Sequence, residues 1–142
     1  MVSVVLVNYR QASLTEAAVR SLRGNASGVD MQIIVVDNAS GDGSVERLRA
    51  SCASCVVLDA GANRGFAAGC NIGIRRALSD GAGAVLLLNN DTEVEPGFLP
   101  PLLDAVRDGR TIATSKIVFA DNPDRVWYGG GHVDRRRGGF YH

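Results

Sequence analysis

Four short apolar runs, each followed closely by polar residues, constrain this chain more than any other feature. Residues 2–7, 32–36, 55–58 and 84–88 are rich in Val, Ile and Leu. Each is too short for a helix and has the nearly continuous apolar character of a strand covered on both faces. Segments with helical spacing lie between them. Ser13-Leu14-Thr15-Glu16 has capping-box spacing, after which Leu14, Ala17, Ala18 and Leu22 share one helical face up to Gly24. Residues 45–50 predict a short helix, and Phe66, Cys70, Gly73 and Ala77 mark one face of a longer one rich in small residues. Pro96 stands where a fourth helix would open, with Leu99, Leu102, Leu103 and Val106 turned inward. Residues 111–119 predict a further strand.

Strands alternating with helices predict an α/β fold with a mainly parallel sheet flanked by helices. Such sheets bind ligands beyond the carboxyl ends of their strands, here the loops that start at Asn8, Asp37 and Asn89. The expected domain is 1–120. Residues 121–142 differ: they are Gly-rich, carry Trp127, Tyr128 and Arg135-Arg136-Arg137, and predict an extended hairpin or mobile loop without a core.

Composition removes several classes of function. The 142 residues suffice for one buried core. Fifteen basic residues balance fifteen acidic ones, so no general electrostatic attraction to nucleic acid is expected. No apolar run could cross a bilayer, and the residues after Met1 lack a basic n-region and a cleavage site. The expected location is cytoplasmic, peripheral at the inner face of a membrane. Cys52 and Cys55 form a C-x-x-C ahead of a strand rather than at a helix start, and no second pair completes a zinc site. Cys70 lies among small residues and is expected to pack. There is no G-x-G-x-x-G between the first strand and helix, no P-loop and no G-x-S-x-G elbow. His132 and His142 are the two histidines, which supports a hydrolase triad weakly.

A cluster of amides and acids remains at the predicted strand ends. Asp37-Asn38 closes the second strand, and Asn89-Asn90-Asp91 the fourth. Asn and Asp start turns and cap helices, which explains either loop alone. Both loops together, on neighbouring carboxyl ends of one sheet, suit the reading of a base edge, the holding of ribose hydroxyls and the binding of a hard divalent cation.

At these residues the sequence resembles glycosyltransferase family 2, the inverting nucleotide-sugar transferases of the Rossmann-like GT-A fold. The opening strand Val2-Ser3-Val4-Val5-Leu6-Val7-Asn8-Tyr9 is similar to that of the family. So are Val35-Val36-Asp37-Asn38-Ala39-Ser40 with Gly41-Asp42-Gly43-Ser44, and Asn63-Arg64-Gly65-Phe66 running to Asn71-Ile72-Gly73. Leu88-Asn89-Asn90-Asp91 stands in place of the D-x-D motif. The form of these stretches, followed by Trp127-Tyr128-Gly129-Gly130-Gly131, is most similar to the bacterial rhamnosyltransferase-like branch, which builds cell-surface polysaccharide.

The resemblance implies a site. Asn8 and Tyr9 would line the nucleoside pocket, Asp37 and Asn38 would contact base or ribose, and Asn63 and Asn71 would shape the nucleotide-side wall. Asn89 and Asn90 belong to the same donor site, with Asn89 approaching the ribose. Asp91 would hold Mg²⁺ or Mn²⁺ against the diphosphate leaving group. The implied partners are a nucleotide-diphosphate sugar donor and a saccharide or lipid-linked acceptor.

Two departures qualify these expectations. Asn89 replaces the first Asp of D-x-D, so metal affinity without nucleotide is expected to be weak. The general base and most of the acceptor site are expected beyond His142, which makes the chain a donor-binding half with apolar surface left open for self-association. Two rival readings remain open: a non-catalytic nucleotide- or partner-binding module, and another nucleotide-sugar enzyme such as a nucleotidyltransferase. The second usually carries a Gly-rich basic loop, absent from residues 8–12. Arg135-Arg136-Arg137 is either a solvated run or a contact for a diphosphate-lipid acceptor or a membrane surface.

Overall fold

Strand β1 (Val2–Asn8) is buried along its whole length, and the rest of the sheet is arranged around it. A computed structural model describes residues 1–25, 28–134 and 139–141, those from 132 onward as backbone. The chain divides into two compact units, Met1–Gly97 and Phe98–His142.

In the first unit β1 is followed by α1 (Ala12–Asn25), β2 (Met31–Asp37), α2 (Ser44–Ser51), β3 (Val56–Asp59), α3 (Phe66–Ser79) and β4 (Ala84–Leu87). The strands form one sheet in the order β3-β2-β1-β4, parallel throughout. The predicted α/β class and flanked parallel sheet are therefore observed. The core consists of Val4, Val5, Leu6, Ile34, Val35 and Val36, with Val19 and Leu22 of α1 and Leu48 of α2 also buried. Each such side chain contributes about 1.5–3 kcal/mol of burial. On α3, Gly69 and Gly73 lie against β1: a Cβ at Gly69 would come within 2.9 Å of Val7 Cγ1, and one at Gly73 would overlap Val5.

The second unit contains α4 (Leu99–Ala105), the antiparallel pair β5 (Ile117–Phe119) and β6 (Asn122–Tyr128), and the antiparallel pair β7 (His132–Asp134) and β8 (Gly139–Tyr141). Arg135-Arg136-Arg137 and His142 lie outside the described residues.

Several local expectations are corrected. The capping box does not form. Helix α1 begins at Ala12, where the Gln11 carbonyl accepts from Leu14 N and Thr15 N, and both Ser13 and Glu16 bind Arg47 instead. The inward face of α1 is Ala12, Thr15, Ala18, Val19 and Leu22, while Leu14 is exposed. Gly24 does not end α1, which continues to Asn25. Helix α4 starts at Leu99 rather than Pro96, because Gly97 takes a left-handed φ of 77° that a helix cannot include. Within 111–119 the strand is limited to Ile117–Phe119. Phe66 opens α3 as an exposed residue rather than a core one.

Candidate functional site

Parallel register brings Asn8, Asp37 and Asp59 side by side at the carboxyl ends of β1, β2 and β3. Asn8 and Asp37 are fully buried. A buried carboxylate requires compensating donors, and Asp37 has three. Its Oδ1 accepts from Asn8 Nδ2 at 2.6 Å and from the Ser40 hydroxyl at 2.6 Å, and its Oδ2 accepts from Ser40 N at 2.9 Å. Asp37 thus fixes the turn after β2 rather than presenting free oxygens. Ser40 Oγ in turn accepts from Arg10 N at 2.9 Å, and Arg10 Nε donates to the Ser40 carbonyl at 3.2 Å. This lock holds Arg10 and Ala39 at a φ of 57°, an uncommon backbone conformation for residues other than glycine. Arg10 also lies over the half-exposed ring of Tyr9, 5.1 Å from its centre.

Asn38 is 4% exposed, and its side chain is oriented without ambiguity. Its Nδ2 donates to Asn63 Oδ1 at 3.0 Å and to the Gly65 carbonyl at 3.3 Å. Asn63 Oδ1 also accepts from Gly65 N, which fixes that amide as well. Asn38 Oδ1 is buried and has no partner. Buried acceptors are rarely left in this state, and an orphan of this kind calls for an explanation.

The loop after β4 presents its residues alternately. Asn89 and Asp91 are exposed, whereas Asn90 between them is half-buried. Asn90 Nδ2 donates to Thr15 Oγ1 at 3.1 Å and lies 3.4 Å from Gln11 Oε1. The Thr15 hydroxyl donates to Asn8 Oδ1 at 2.8 Å. Asn8, Asp37, Asn38, Asn63 and Asn90 are thereby brought into one neighbourhood. Asn71 is exposed on α3, apart from these hydrogen bonds. Thr15, Ser40 and Arg10 were not singled out from the sequence. Ser40 lies inside the motif of residues 35–40 and Thr15 inside residues 13–16, and neither local pattern signals the contacts these residues make with Asp37 and Asn8.

Two clefts flank the lock. One of about 350 Å³ lies between Gln11–Leu14 and the turn at Asp42–Ser44, with Arg47 in its wall. Arg47 binds Glu16 through two contacts, at 2.9 and 2.6 Å, and its guanidinium holds the Glu16 carboxyl below the ordinary value. Asp42 is likewise held low, first by the Ser44 hydroxyl at 2.5 Å. The other cleft, about 240 Å³, lies beside Asp37, Ala39, Asp59 and Gly61.

Among the described residues no three His, Cys, Asp or Glu side chains group as a metal site. Asp91 is the carboxylate of the Asn89-Asn90-Asp91 stretch, with Glu93 and Glu95 exposed further along the loop, and one exposed carboxylate suits a hard cation whose other ligands are phosphate oxygens and water. Cys52, Cys55 and Cys70 are free thiols, and burial pushes the Cys55 thiol up to about 11. No helix among the described residues is long and apolar enough to cross a membrane.

Known proteins share this fold. The chain is 35% identical over 95 residues to the low-salt glycan biosynthesis hexosyltransferase Agl10 of Haloferax volcanii, covering 65% of this chain and 28% of that protein. It therefore spans under a third of that relative. The mannosyltransferase PcManGT of Pyrobaculum calidifontis, solved with GDP-Man and Mn²⁺, superposes with a TM-score of 0.53 at 23% identity, over 65% of this chain and 28% of that one. TarS of S. aureus, residues 1–349 with UDP-GlcNAc, gives a TM-score of 0.61 at 15% identity, over 82% of this chain and 40% of that one. These two likenesses bear on the fold, which is the GT-A glycosyltransferase fold. Residues 3–141 match the family described as Glycosyl transferase family 2, and with the match running over nearly its whole length the chain belongs to that family.

Proposed function

We propose that this chain is the donor-binding side of an inverting glycosyltransferase. The enzyme would move a sugar from a nucleotide-diphosphate donor to a cell-surface polysaccharide or glycolipid acceptor. The observation that carries the reading is Asn38 Oδ1, a buried, oriented and unpartnered acceptor at the carboxyl end of β2. An N–H or O–H of a base or ribose placed there would satisfy it. Family membership and the nucleotide sugars in the solved relatives support the same assignment.

In this reading Asp37, Asn8 and Ser40 hold the frame, and Asn38 with Asn63 faces base or ribose. Tyr9 lines the nucleoside pocket, Asn71 belongs to the wall, and Asn89 approaches the ribose. Asp91 would hold Mg²⁺ or Mn²⁺, which when bound neutralises charge developing on the departing diphosphate. With one carboxylate, Asp91 relies on the nucleotide to complete the cation's oxygen shell. Rhamnose is the sugar suggested by the likeness of the Asp37–Ser40, Asn63–Asn71 and Asn89–Asp91 stretches to the rhamnosyltransferase-like branch.

Calorimetric titration with dTDP, UDP and GDP, with and without Mn²⁺, tests the assignment on this chain and on Asp91→Ala. The expected result is binding of one nucleotide, enhanced by the metal, with the enhancement lost in the variant. No binding by a folded chain would overturn the donor reading. A second reading, a nucleotide-binding module without catalysis, is favoured by the single carboxylate at the D-x-D position, where Asn89 replaces the first Asp. Sugar transfer by this chain would exclude it.

A further inference from the structure

We infer that Thr15 is a positioning residue that sets the β4 loop, and with it Asp91, against the frame made by Asn8 and Asp37. The inference rests on the donor-site reading for its consequence, but its structural basis is independent of any ligand. Thr15 is fully buried inside α1, where its hydroxyl could be satisfied by the carbonyl one turn back in its own helix. Its hydroxyl instead lies where α1, the end of β1 and the loop after β4 meet. A hydroxyl has a single proton, and the shorter of its two acceptor contacts is Asn8 Oδ1 at 2.8 Å, against 3.3 Å to the Gln11 carbonyl. Donating to Asn8 leaves its lone pairs free, and Asn90 Nδ2 occupies one of them at 3.1 Å.

The result is a chain of hydrogen bonds from Asn90 through Thr15 and Asn8 to Asp37 and Ser40. It ties the loop after β4 to the turn after β2 across β1. Asn90 is the middle residue of the D-x-D position, and its inward anchor is what leaves Asn89 and Asp91 facing outward. The loop is held at both flanks, where Leu88 N donates to the Val5 carbonyl at 3.0 Å, Val94 N donates to Ser21 Oγ at 2.7 Å and Asn25 Nδ2 donates to the Val94 carbonyl at 2.8 Å. Between those anchors, Thr92 N donates to the Asn89 carbonyl at 3.2 Å, and Asn90 is the residue tied to the frame. With Asn89 in place of the first Asp of D-x-D, the cation in this reading depends on where Asp91 is placed relative to the nucleotide phosphates. A side chain on α1, far from Asp91 in sequence, would thus govern metal-assisted binding without touching the ligand.

The test uses Thr15→Val, which is nearly isosteric, Thr15→Ser, which keeps the hydroxyl, and Asn90→Ala, which removes the other end of the contact. Backbone ¹⁵N order parameters at residues 89–92 are read first, with no ligand present. The expected result is a fall from about 0.85 to below about 0.6 in Thr15→Val and Asn90→Ala, and rigid values in Thr15→Ser. The second readout is the ratio of nucleoside diphosphate affinities with and without Mn²⁺, using UDP, dTDP and GDP. This ratio should fall about ten-fold in Thr15→Val and in Asn90→Ala, no further in the double variant, and stay near the wild-type value in Thr15→Ser.

A merely structural role would lower Tm and weaken binding equally with and without metal, leaving the ratio unchanged, and that result would overturn the inference. So would a loop that stays rigid in both Thr15→Val and Asn90→Ala. Should Thr15→Val fail to fold, Asn90→Ala and Thr15→Ser decide the question. Should the wild-type chain bind no nucleotide, the donor reading fails, and the order parameters alone decide whether Thr15 positions the loop.

Discussion

Asp37 illustrates how a motif residue serves a site from behind. All three of its hydrogen bonds arrive from within the protein, so its charge organises the turn, and the adjacent Asn38 carries the open acceptor. Asp37→Asn keeps the shape but turns an NH₂ toward one of those donors. The expected loss is about 1–3 kcal/mol, measured as a lower urea midpoint. Glu16 gives a pH prediction. Arg47 lowers its pKa in the folded state below the ordinary 4.5, so the pair stabilises the fold fully above that value. The contribution shrinks as pH falls below 4.5 and is gone once pH has passed through the folded-state pKa. The gap in Tm between wild type and Glu16→Gln should therefore be present at neutral pH and close on the acid side. A gap that is unchanged by acid would show that the pair does not stabilise the fold. The sequence placed Asn8, Asp37 and Asn38 at one strand edge correctly. It could not show which of them faced inward, because that depends on Ser40 and Thr15 closing on them in space.

Among the elements, α3 was the most legible and α1 the least. Cys70, Gly73 and Ala77 were read as one packed face of α3 and are buried there. Their small size lets the helix axis approach β1 closely. Gly73→Ala would normally gain up to about 1 kcal/mol of helix propensity, but the new methyl would overlap Val5. Overpacking of this kind costs about 1–3 kcal/mol and is expected to win, lowering the urea midpoint. Gly24→Ala is the matched control. Nothing lies within 4 Å of its Cβ position, so a gain of about 0.5–1 kcal/mol is expected. Both variants gaining stability would mean that α3 can move away from the sheet. Helix α1 was misread for a physical reason: its supposed cap, Ser13 with Glu16, is claimed by Arg47 from α2, a contact that no local pattern contains. The fourth helix was misplaced because Pro96 suits a first turn, while the left-handed Gly97 just after it does not.

For the whole molecule, the parallel order β3-β2-β1-β4 joins what the chain separates. The turns after β1, β2 and β4 converge because every strand of the sheet points the same way, and the Asn8–Thr15–Asn90 contacts then join them. A ligand seated across such turns binds only the folded arrangement, so its binding energy adds to the stability of the whole Met1–Gly97 unit rather than of one loop. At a nucleotide concentration about 100 times Kd, with Mn²⁺ present, unfolding in urea should cost about 2.7 kcal/mol more than without ligand. Asn38→Ala removes the open acceptor from the middle of this arrangement. A variant whose Kd has risen about 100-fold would keep less than 1 kcal/mol of that increment at the same concentration. Its own ligand-free stability changes as well, through the lost contacts to Asn63 and Gly65, and comparing each protein with and without nucleotide separates the two effects. An increment retained in full by Asn38→Ala would move the nucleotide away from Asn38 and leave its buried oxygen as a purely internal feature of the turn.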